Sequence, residues 1–238
     1  MTRAEEIARN LSVVRERLAH AERATGRPPG SVRLVAVSKT MPAEDVAAAR
    51  AAGQEDFGEN YAQELRDKRA ALAGLALRWH FIGPIQSNKV KYLAGQVALV
   101  HTLDTPELLA ELERRLAAGG APGPQECLVQ VNVAGEAQKR GLPPAALPAL
   151  LDRFAELPHL RCVGLMLIPP LTDDPEGGRP HFAALRRLRD EESRRPRPGV
   201  DLRELSMGMS HDLEVAVAEG ATLVRVGTAI FGARRAAP

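Results

Sequence analysis

Short apolar runs alternate with longer amphipathic segments along almost the whole chain. Ile7, Leu11, Val14, Leu18 and Ala21 recur at helical spacing, which predicts one amphipathic helix over roughly the first 24 residues. The apolar runs that follow predict buried strands at 32–38, 54–58, 78–83, 97–103, 126–132, 161–167, 203–207 and 222–227.

The segments between these runs have helical patterns. They predict helices at 42–52, 60–73, 87–94, 106–118, 143–157, 178–194 and 210–219, with a short terminal segment after Gly232. Prolines open three of these segments and glycines follow three of them, as helix start and stop signals do: Pro42, Pro106 and Pro143, and Gly53, Gly120 and Gly220.

Eight strands that alternate with helices in 238 residues predict a single α/β domain spanning residues 1–238. We expect a closed (β/α)8 TIM-type barrel preceded by an N-terminal helix. An open doubly wound sheet is the alternative. Its dinucleotide-binding form is disfavoured because no Gly-x-Gly-x-x-Gly turn follows the first strand.

Composition narrows the class of protein further. Hydrophobic residues make up 45% of the chain but aromatic residues only 3%, so the core must be aliphatic. The 32 basic and 30 acidic residues nearly cancel, and no basic block is interleaved with aromatics, so we expect no nucleic-acid partner. Cys127 and Cys162 fall inside predicted strands without metal or redox spacing, which predicts reduced, structural thiols and no metal site.

The location of the protein is predicted from the same sequence. The N-terminus is charged and helical, unlike a signal peptide. No apolar run approaches the ~20 residues that cross a bilayer. We therefore expect a soluble, cytoplasmic protein without a membrane partner, and the low aromatic content favours a monomer.

Lys39 stands at the end of the first predicted strand. In a barrel the catalytic face forms where strands end, and an amine at that rim is partly desolvated, which lowers its pKa. A neutral amine in a cleft can form a Schiff base with an aldehyde. The alternative is a solvated lysine that only marks the end of a strand.

The turns after the last two strands have the features of an anion site. Ser206 supplies a hydroxyl and Gly208 permits close backbone approach, while Gly227 and Thr228 add backbone N–H groups and a second hydroxyl. Taken singly, either turn is equally well explained by ordinary turn glycines and serine caps. A phosphate cradle opposite Lys39 indicates a phosphorylated aldehyde, and pyridoxal 5′-phosphate (PLP) is the leading candidate.

Six motifs lie at the strand ends: Val35–Thr40, Phe57–Tyr61, Trp79–Lys89, Gly164–Met166, Ser206–Ser210 and Val224–Gly232. In order and spacing, from about residue 7 to 235, the chain resembles the pyridoxal phosphate homeostasis protein family. The family is a single-domain barrel related to the N-terminal domain of alanine racemase, and it binds the cofactor without a well-established catalytic activity.

The resemblance implies roles for particular residues. Lys39 would carry the cofactor as an internal aldimine, Ser206, Gly227 and Thr228 would hold the phosphate, and Arg225 would face the pyridine nitrogen. An unprotonated ring is a weaker electron sink, so carbanion chemistry would be less assisted. Further cleft residues are Asn60, His80 and Met166, although His80 is equally well explained as a hydrogen-bonded histidine of the barrel interior.

The resemblance implies a carrier that buffers PLP inside the cell or delivers it to apo-enzymes, without dedicated turnover. A weak amino-acid racemase is the alternative. In alanine racemase the second acid/base is a tyrosine from a separate domain, and this chain offers only Tyr61 and Tyr92. A third possibility is a phosphate-binding barrel with a sugar substrate, in which Lys39 forms a transient imine.

Overall fold

Eight parallel strands form a closed barrel in which each strand pairs with its neighbour in sequence and β8 pairs with β1. The structure, a computed structural model, describes residues 1–120, 123–136 and 138–233. The strands are β1 (Arg33–Val37), β2 (Asp56–Glu59), β3 (Arg78–Phe81), β4 (Leu99–Leu103), β5 (Gln125–Gln130), β6 (Leu160–Met166), β7 (Val200–Ser206) and β8 (Leu223–Val226). The prediction of a (β/α)8 barrel is confirmed, and the open sheet is wrong.

Helices precede the barrel and connect its strands. They are α1 (Arg3–Ala24), α2 (Ala43–Ala51), α3 (Ala62–Ala71), α4 (Pro106–Gly119), α5 (Leu147–Asp152), α6 (Arg179–Glu192), α7 (Leu213–Ala218) and α8 (Thr228–Phe231). Short 3₁₀ helices occupy Ser87–Tyr92, Pro144–Ala146, Arg153–Glu156 and Pro175–Gly178.

The helical segments differ from the prediction in three places. The segment expected at 87–94 is only a 3₁₀ helix, Ser87–Tyr92. The segment expected at 143–157 is a 3₁₀ turn, then α5 with Pro148 in its first turn, then another 3₁₀ turn. Pro148 accounts for the first of these breaks, because a proline lacks the N–H that a continuous helix needs. The last helix is α8, which the pattern did not predict, and Gly232 ends it with φ 79°. Of the terminal segment expected after Gly232, residues 234–238 lie outside the described residues.

Apolar side chains of the strands form two layers because successive residues point to opposite faces. One layer fills the barrel interior and consists of Val35, Leu99, Leu128, Val163, Met166 and Leu223. The other packs outward against the helices and includes Leu34 and Ala36 on either side of Val35. Cys127 and Cys162 are buried free thiols, and burial raises the pKa of Cys162 to about 12.

Helix α1 lies across the seam where the last βα unit meets the first. Its predicted apolar stripe is buried, and it packs against α2, α7 and α8. Arg3 donates to both carboxylate oxygens of Asp45 in α2 and to the carbonyl of Phe231 in α8. The helix therefore ties together the two ends of the barrel sequence.

Two further features were searched over the part of the chain that the structure describes. No helix there is long and apolar enough to span a membrane. No group of three His, Cys, Asp or Glu side chains there is arranged to hold a metal ion.

Candidate functional site

A cavity of about 420 Å³ opens at the carboxyl ends of the strands, which is where (β/α)8 barrels carry their active sites. Its walls are mostly apolar, and its polar groups come from β8 and from the turns after β1, β2, β7 and β8. The polar lining consists of Lys39, Asn60, Ser210, His211, Arg225, Gly227 and Thr228, and the apolar lining includes Val37, Met41, Ile82, Ile168, Leu171, Met209 and Phe231.

Lys39 follows β1 and is half-buried at the edge of this cavity. The next residue, Thr40, has φ 64° and is the only non-glycine residue in the described ranges with a positive φ. A β-branched residue in this left-handed region is a genuine outlier, so neighbouring groups must hold the turn in place. The turn that carries Lys39 is therefore a constrained part of the site.

Arg225 in β8 is a buried cation that lines the cavity. Its side chain donates to Ser206 Oγ at 2.6 Å and to the carbonyl oxygen of Leu167 at 2.9 Å. Burial lowers the pKa of Arg225 to about 10, with Asp212 opposing the change. The guanidinium group consequently stays charged at neutral pH and has a fixed orientation.

Beneath Arg225, a chain of hydrogen bonds crosses the barrel interior. Ser206 Oγ lies 2.9 Å from His101 Nδ1, and His101 Nε2 lies 3.0 Å from His80 Nδ1. The chain ends at Asp56, whose Oδ1 is 2.9 Å from His80 Nε2. These side chains are all buried, so the chain replaces the water that such groups would otherwise need.

The two ends of this chain favour one direction of donation, since the guanidinium group of Arg225 only donates and the Asp56 carboxylate only accepts. Ser206 Oγ accepts from Arg225, and its own proton is available to His101 Nδ1. Burial lowers the pKa of His101 well below the usual histidine value, so the ring is neutral and its Nε2–H donates to His80. His80 Nε2–H then donates to the Asp56 carboxylate. Every donor thus points away from the cavity.

Two hydroxyl groups meet on the side of the cavity formed by the turns after β7 and β8. Thr228 Oγ1 donates to Ser210 Oγ at 3.2 Å, and the N–H of Ala229 lies 3.4 Å from the same oxygen. A Cβ added at Gly227 would lie 3.2 Å from the carbonyl oxygen of Val37, so glycine allows this turn to pack closely on β1. The two turns form a compact polar corner.

The structure brings together five of the eight residues selected from the sequence: Lys39, Asn60, Arg225, Gly227 and Thr228 line the cavity. The other three, His80, Met166 and Ser206, lie in the barrel interior with at most 1% of their surface exposed. His80 is thus placed as the hydrogen-bonded interior histidine of the alternative interpretation. Met166 packs within the apolar interior layer.

Ser206 requires a correction of its expected place. It is the last residue of β7 and its hydroxyl is engaged by Arg225 and His101, so it lies below the cavity rather than in a phosphate cradle. The hydroxyl at the surface belongs to Ser210, which the selection from the sequence left out. Ser210 could have been selected from the sequence by its position four residues after the end of β7. Residues that follow a strand end, and not those inside the strand, reach the mouth of a barrel.

A second concavity, of about 360 Å³, opens at the opposite end of the barrel. Its three arginines already have partners. Arg15 donates to the Ala52 carbonyl, Arg33 pairs with Glu204 and Arg78 pairs with Asp56. This end of the barrel therefore does not present free cationic groups for a ligand.

The fold and the cavity together define a (β/α)8 barrel with a small-molecule site built from its βα turns. The model of the family described as alanine racemase, N-terminal domain, matches residues 4–235. A pyridoxal phosphate homeostasis protein from Pseudomonas aeruginosa is 49% identical over 228 residues, 96% of each chain. One from Aquifex aeolicus is 46% identical, covering 94% of this chain and 97% of its own. This chain belongs to the pyridoxal phosphate homeostasis protein family.

A solved structure extends the comparison. PipY of Synechococcus elongatus, determined with PLP bound, superposes with a TM-score of 0.82 at 38% identity, covering 95% of this chain and all of its own. At 38% sequence identity, the two proteins share the arrangement of strands and helices in the barrel and not only the fold class.

Proposed function

We propose that this chain binds pyridoxal 5′-phosphate through Lys39 and acts in PLP homeostasis, holding the cofactor and delivering it to apo-enzymes. The support comes from two sides. Its relatives carry the name pyridoxal phosphate homeostasis protein, and the similar PipY was solved with PLP. The cavity combines an amine, a buried guanidinium group and paired hydroxyls, which is the donor set that this cofactor needs.

The observation that carries the proposal is that Lys39, Arg225 and the Ser210–Thr228 corner face one cavity. The cofactor has an aldehyde, a pyridine nitrogen and a phosphate. The cavity offers one suitable group for each of them, within a volume of about 420 Å³. The chemistry of the residues present therefore fits the cofactor.

Lys39 would attach the cofactor as a Schiff base. Its amine nitrogen forms a double bond to the aldehyde carbon, and the carbonyl oxygen leaves as water with the two protons of the amine. Gly227, Thr228 and Ser210 would hold the phosphate, with Ser210 in the place that the sequence assigned to Ser206. Asn60 lines the cavity and would contact the cofactor from the β2 side.

Arg225 would decide what the bound cofactor can do. Its guanidinium group is charged at neutral pH, and a donor of this kind next to the pyridine nitrogen disfavours protonation of the ring. A pyridine that stays unprotonated withdraws electrons weakly. This favours storage of the cofactor over carbanion chemistry, and we propose that the chain has no dedicated turnover.

The first test is a visible-range spectrum of the purified protein. We expect an absorbance band that is absent from Lys39→Ala and retained in Lys91→Ala, which changes an exposed lysine. After borohydride reduction, mass mapping should place the modification on Lys39. Full retention of the band in Lys39→Ala would contradict the assigned attachment, and a wild-type protein that cannot be loaded with PLP would contradict the function.

The racemase alternative is tested on the same loaded protein. Among the described residues that line the cavity, His211 is the titratable side chain besides Lys39 and Arg225, and its Nε2 lies 3.0 Å from the carbonyl oxygen of Asp173. We expect chiral analysis after incubation with L-alanine to show no D-alanine. Inversion that disappears in His211→Ala would favour the racemase instead.

A further inference from the structure

A buried ionic cluster lies directly behind the turn that carries Lys39. We name it the Lys68 cluster, and it consists of Ser38, Glu59, Glu64 and Lys68. The side chain of Lys68 is 7% exposed, and its Nζ lies 2.6 Å from the Ser38 carbonyl oxygen and 2.7 Å from Oε1 of both Glu59 and Glu64. Three acceptors satisfy all three N–H donors of the ammonium group.

The cluster holds the backbone on both sides of Lys39. Before it, the carbonyl of Ser38 accepts from Lys68 Nζ. After it, the N–H of Thr40 donates to Glu64 Oε1 at 2.7 Å. Glu64 Oε1 therefore accepts from both Thr40 and Lys68, and this one oxygen links the two contacts.

These contacts oppose the intrinsic preference of the turn. Thr40 has φ 64°, a conformation that β-branched residues avoid. Within the turn, the N–H of Met41 also donates to the Ser38 carbonyl at 3.0 Å. Without the contact from Glu64, the peptide after Lys39 would be free to relax toward a more favourable φ, and this rotation would redirect the lysine side chain.

We propose that Glu64 and Lys68 are positioning residues for Lys39, which hold its backbone so that the amine reaches the cofactor aldehyde. This inference rests on the proposed function, because it takes Lys39 as the point of attachment. It assigns a task to α3, an outer helix whose residues do not line the cavity. Neither residue would touch the cofactor.

The choice of variant follows from burial. Glu59 is fully buried, and its Oε2 has no hydrogen-bond partner among the residues that the structure describes. Burial raises the pKa of Glu59 while Lys68 opposes the change. Removing Lys68 alone would leave this carboxylate unpaired in the interior, which risks unfolding. Removing Glu64 is safer because Lys68 keeps Glu59 and the Ser38 carbonyl as partners.

The experiment compares Glu64→Ala, Glu64→Gln and the control Asp67→Ala, which removes an exposed carboxylate of the same helix. Two probes are used. PLP reports covalent attachment through its absorbance band. Pyridoxine 5′-phosphate has an alcohol in place of the aldehyde, so its affinity measures non-covalent binding in the cavity without attachment to Lys39.

We expect Glu64→Ala to slow covalent attachment of PLP by about tenfold, since misplacement of a reacting group is costly even at a fraction of an ångström. Its affinity for pyridoxine 5′-phosphate should stay within about twofold of wild type, because the cavity lining is unchanged. Glu64→Gln keeps an amide oxygen for Thr40 and Lys68 and should restore most of the rate. The double variant Glu59→Gln/Lys68→Met, which leaves no unpaired fully buried charge, should also be slower than wild type but less so than Glu64→Ala. It loses the Lys68 contact to the Ser38 carbonyl but keeps the contact between Thr40 and Glu64.

Three results would overturn the positioning role: a wild-type attachment rate in Glu64→Ala, equal losses for both probes, or no restoration by Glu64→Gln. Equal losses would indicate a general structural role. Failure of the proposed function is distinguishable, because the wild-type protein would then form no Lys39-dependent band at all. In that case the positioning role falls with it.

Discussion

Arg225 and His101 show how much a single residue's surroundings determine its chemistry. Both are fully buried in the barrel interior, yet Arg225 stays charged and His101 stays neutral. The difference arises because an arginine starts from a pKa far above neutrality, whereas a histidine starts close to it. The neutral ring of His101 can accept the hydroxyl proton of Ser206. The oxygen of the same hydroxyl group then accepts from Arg225.

At this scale the stability of the protein should depend on pH through His101. Its pKa in the folded protein lies well below the usual value near 6.5, because of burial first and then the positive charges of Arg225 and Arg33. As the pH falls below about 6.5, the unfolded chain takes up a proton there, whereas the folded chain does so only at a lower pH. Stability should therefore fall as the pH drops, by up to about 1.4 kcal/mol per pH unit from this group.

Urea unfolding at several pH values checks this expectation against His101→Gln, which cannot take up the proton. The slope of unfolding free energy against pH should be shallower in the variant. The raised pKa of Glu59 acts in the opposite direction but is common to both proteins, so it cancels in the comparison. Identical slopes in the two proteins would contradict the assignment of a neutral buried His101.

At the scale of elements, the barrel depends on places where two strands approach more closely than a side chain permits. Gly164 in β6 is one of them, because an added Cβ would lie 2.0 Å from the carbonyl oxygen of Glu204 in β7. The register of these strands shifts between Cys162 and Gly164. Gly164 therefore sets the packing of β6 on β7, which carries Ser206.

We expect Gly164→Ala to destabilise the protein by about 3 kcal/mol, since backbone must move to accept the methyl group. Gly74→Ala is the matched control, because a Cβ there would meet nothing within 4 Å. Thermal unfolding of both variants measures the difference. A stable Gly164→Ala with an unchanged melting temperature would show that the two strands separate more easily than the structure implies.

Strands were easier to predict than helices, and the cause is physical. Most strand residues are buried, so most of the strands are short apolar runs in the sequence. The clearest exception is β7, in which Asp201 and Arg203 are exposed. The outer helices show only one apolar stripe, and α8 has only four residues, too short for any periodic pattern. The predicted helix at 143–157 is three short pieces, and Pro148 lies just after the first break between them.

At the scale of the whole molecule, α1 closes the seam of the barrel through Arg3. The side chain of Asp45 is 9% exposed and receives two donors from Arg3, which also holds the carbonyl of Phe231. Phe231 belongs to α8, the helix that begins with Thr228 of the cavity. A contact at the seam thus supports one wall of the site.

We expect Arg3→Met to cost about 2 kcal/mol, because it leaves a buried carboxylate without its charged partner. Arg9→Met, which removes an exposed arginine of the same helix, should change stability by less than about 0.5 kcal/mol. Urea unfolding measures both. The double variant Arg3→Met/Asp45→Ala should recover part of the loss, and a double variant no more stable than Arg3→Met would argue against the pairing.

The sequence by itself determined the barrel, the order of its strands and the turns that face the cavity, because burial and strand ends leave local patterns in the chain. Together with the family resemblance, it also selected Lys39, Arg225, Gly227 and Thr228, which line one cavity. Only the tertiary structure decided that Ser206 lies below the cavity, that Ser210 lines it, and that α3 reaches behind Lys39. These facts depend on contacts between residues far apart in the chain, such as His101 with Ser206, and no local pattern encodes such distances.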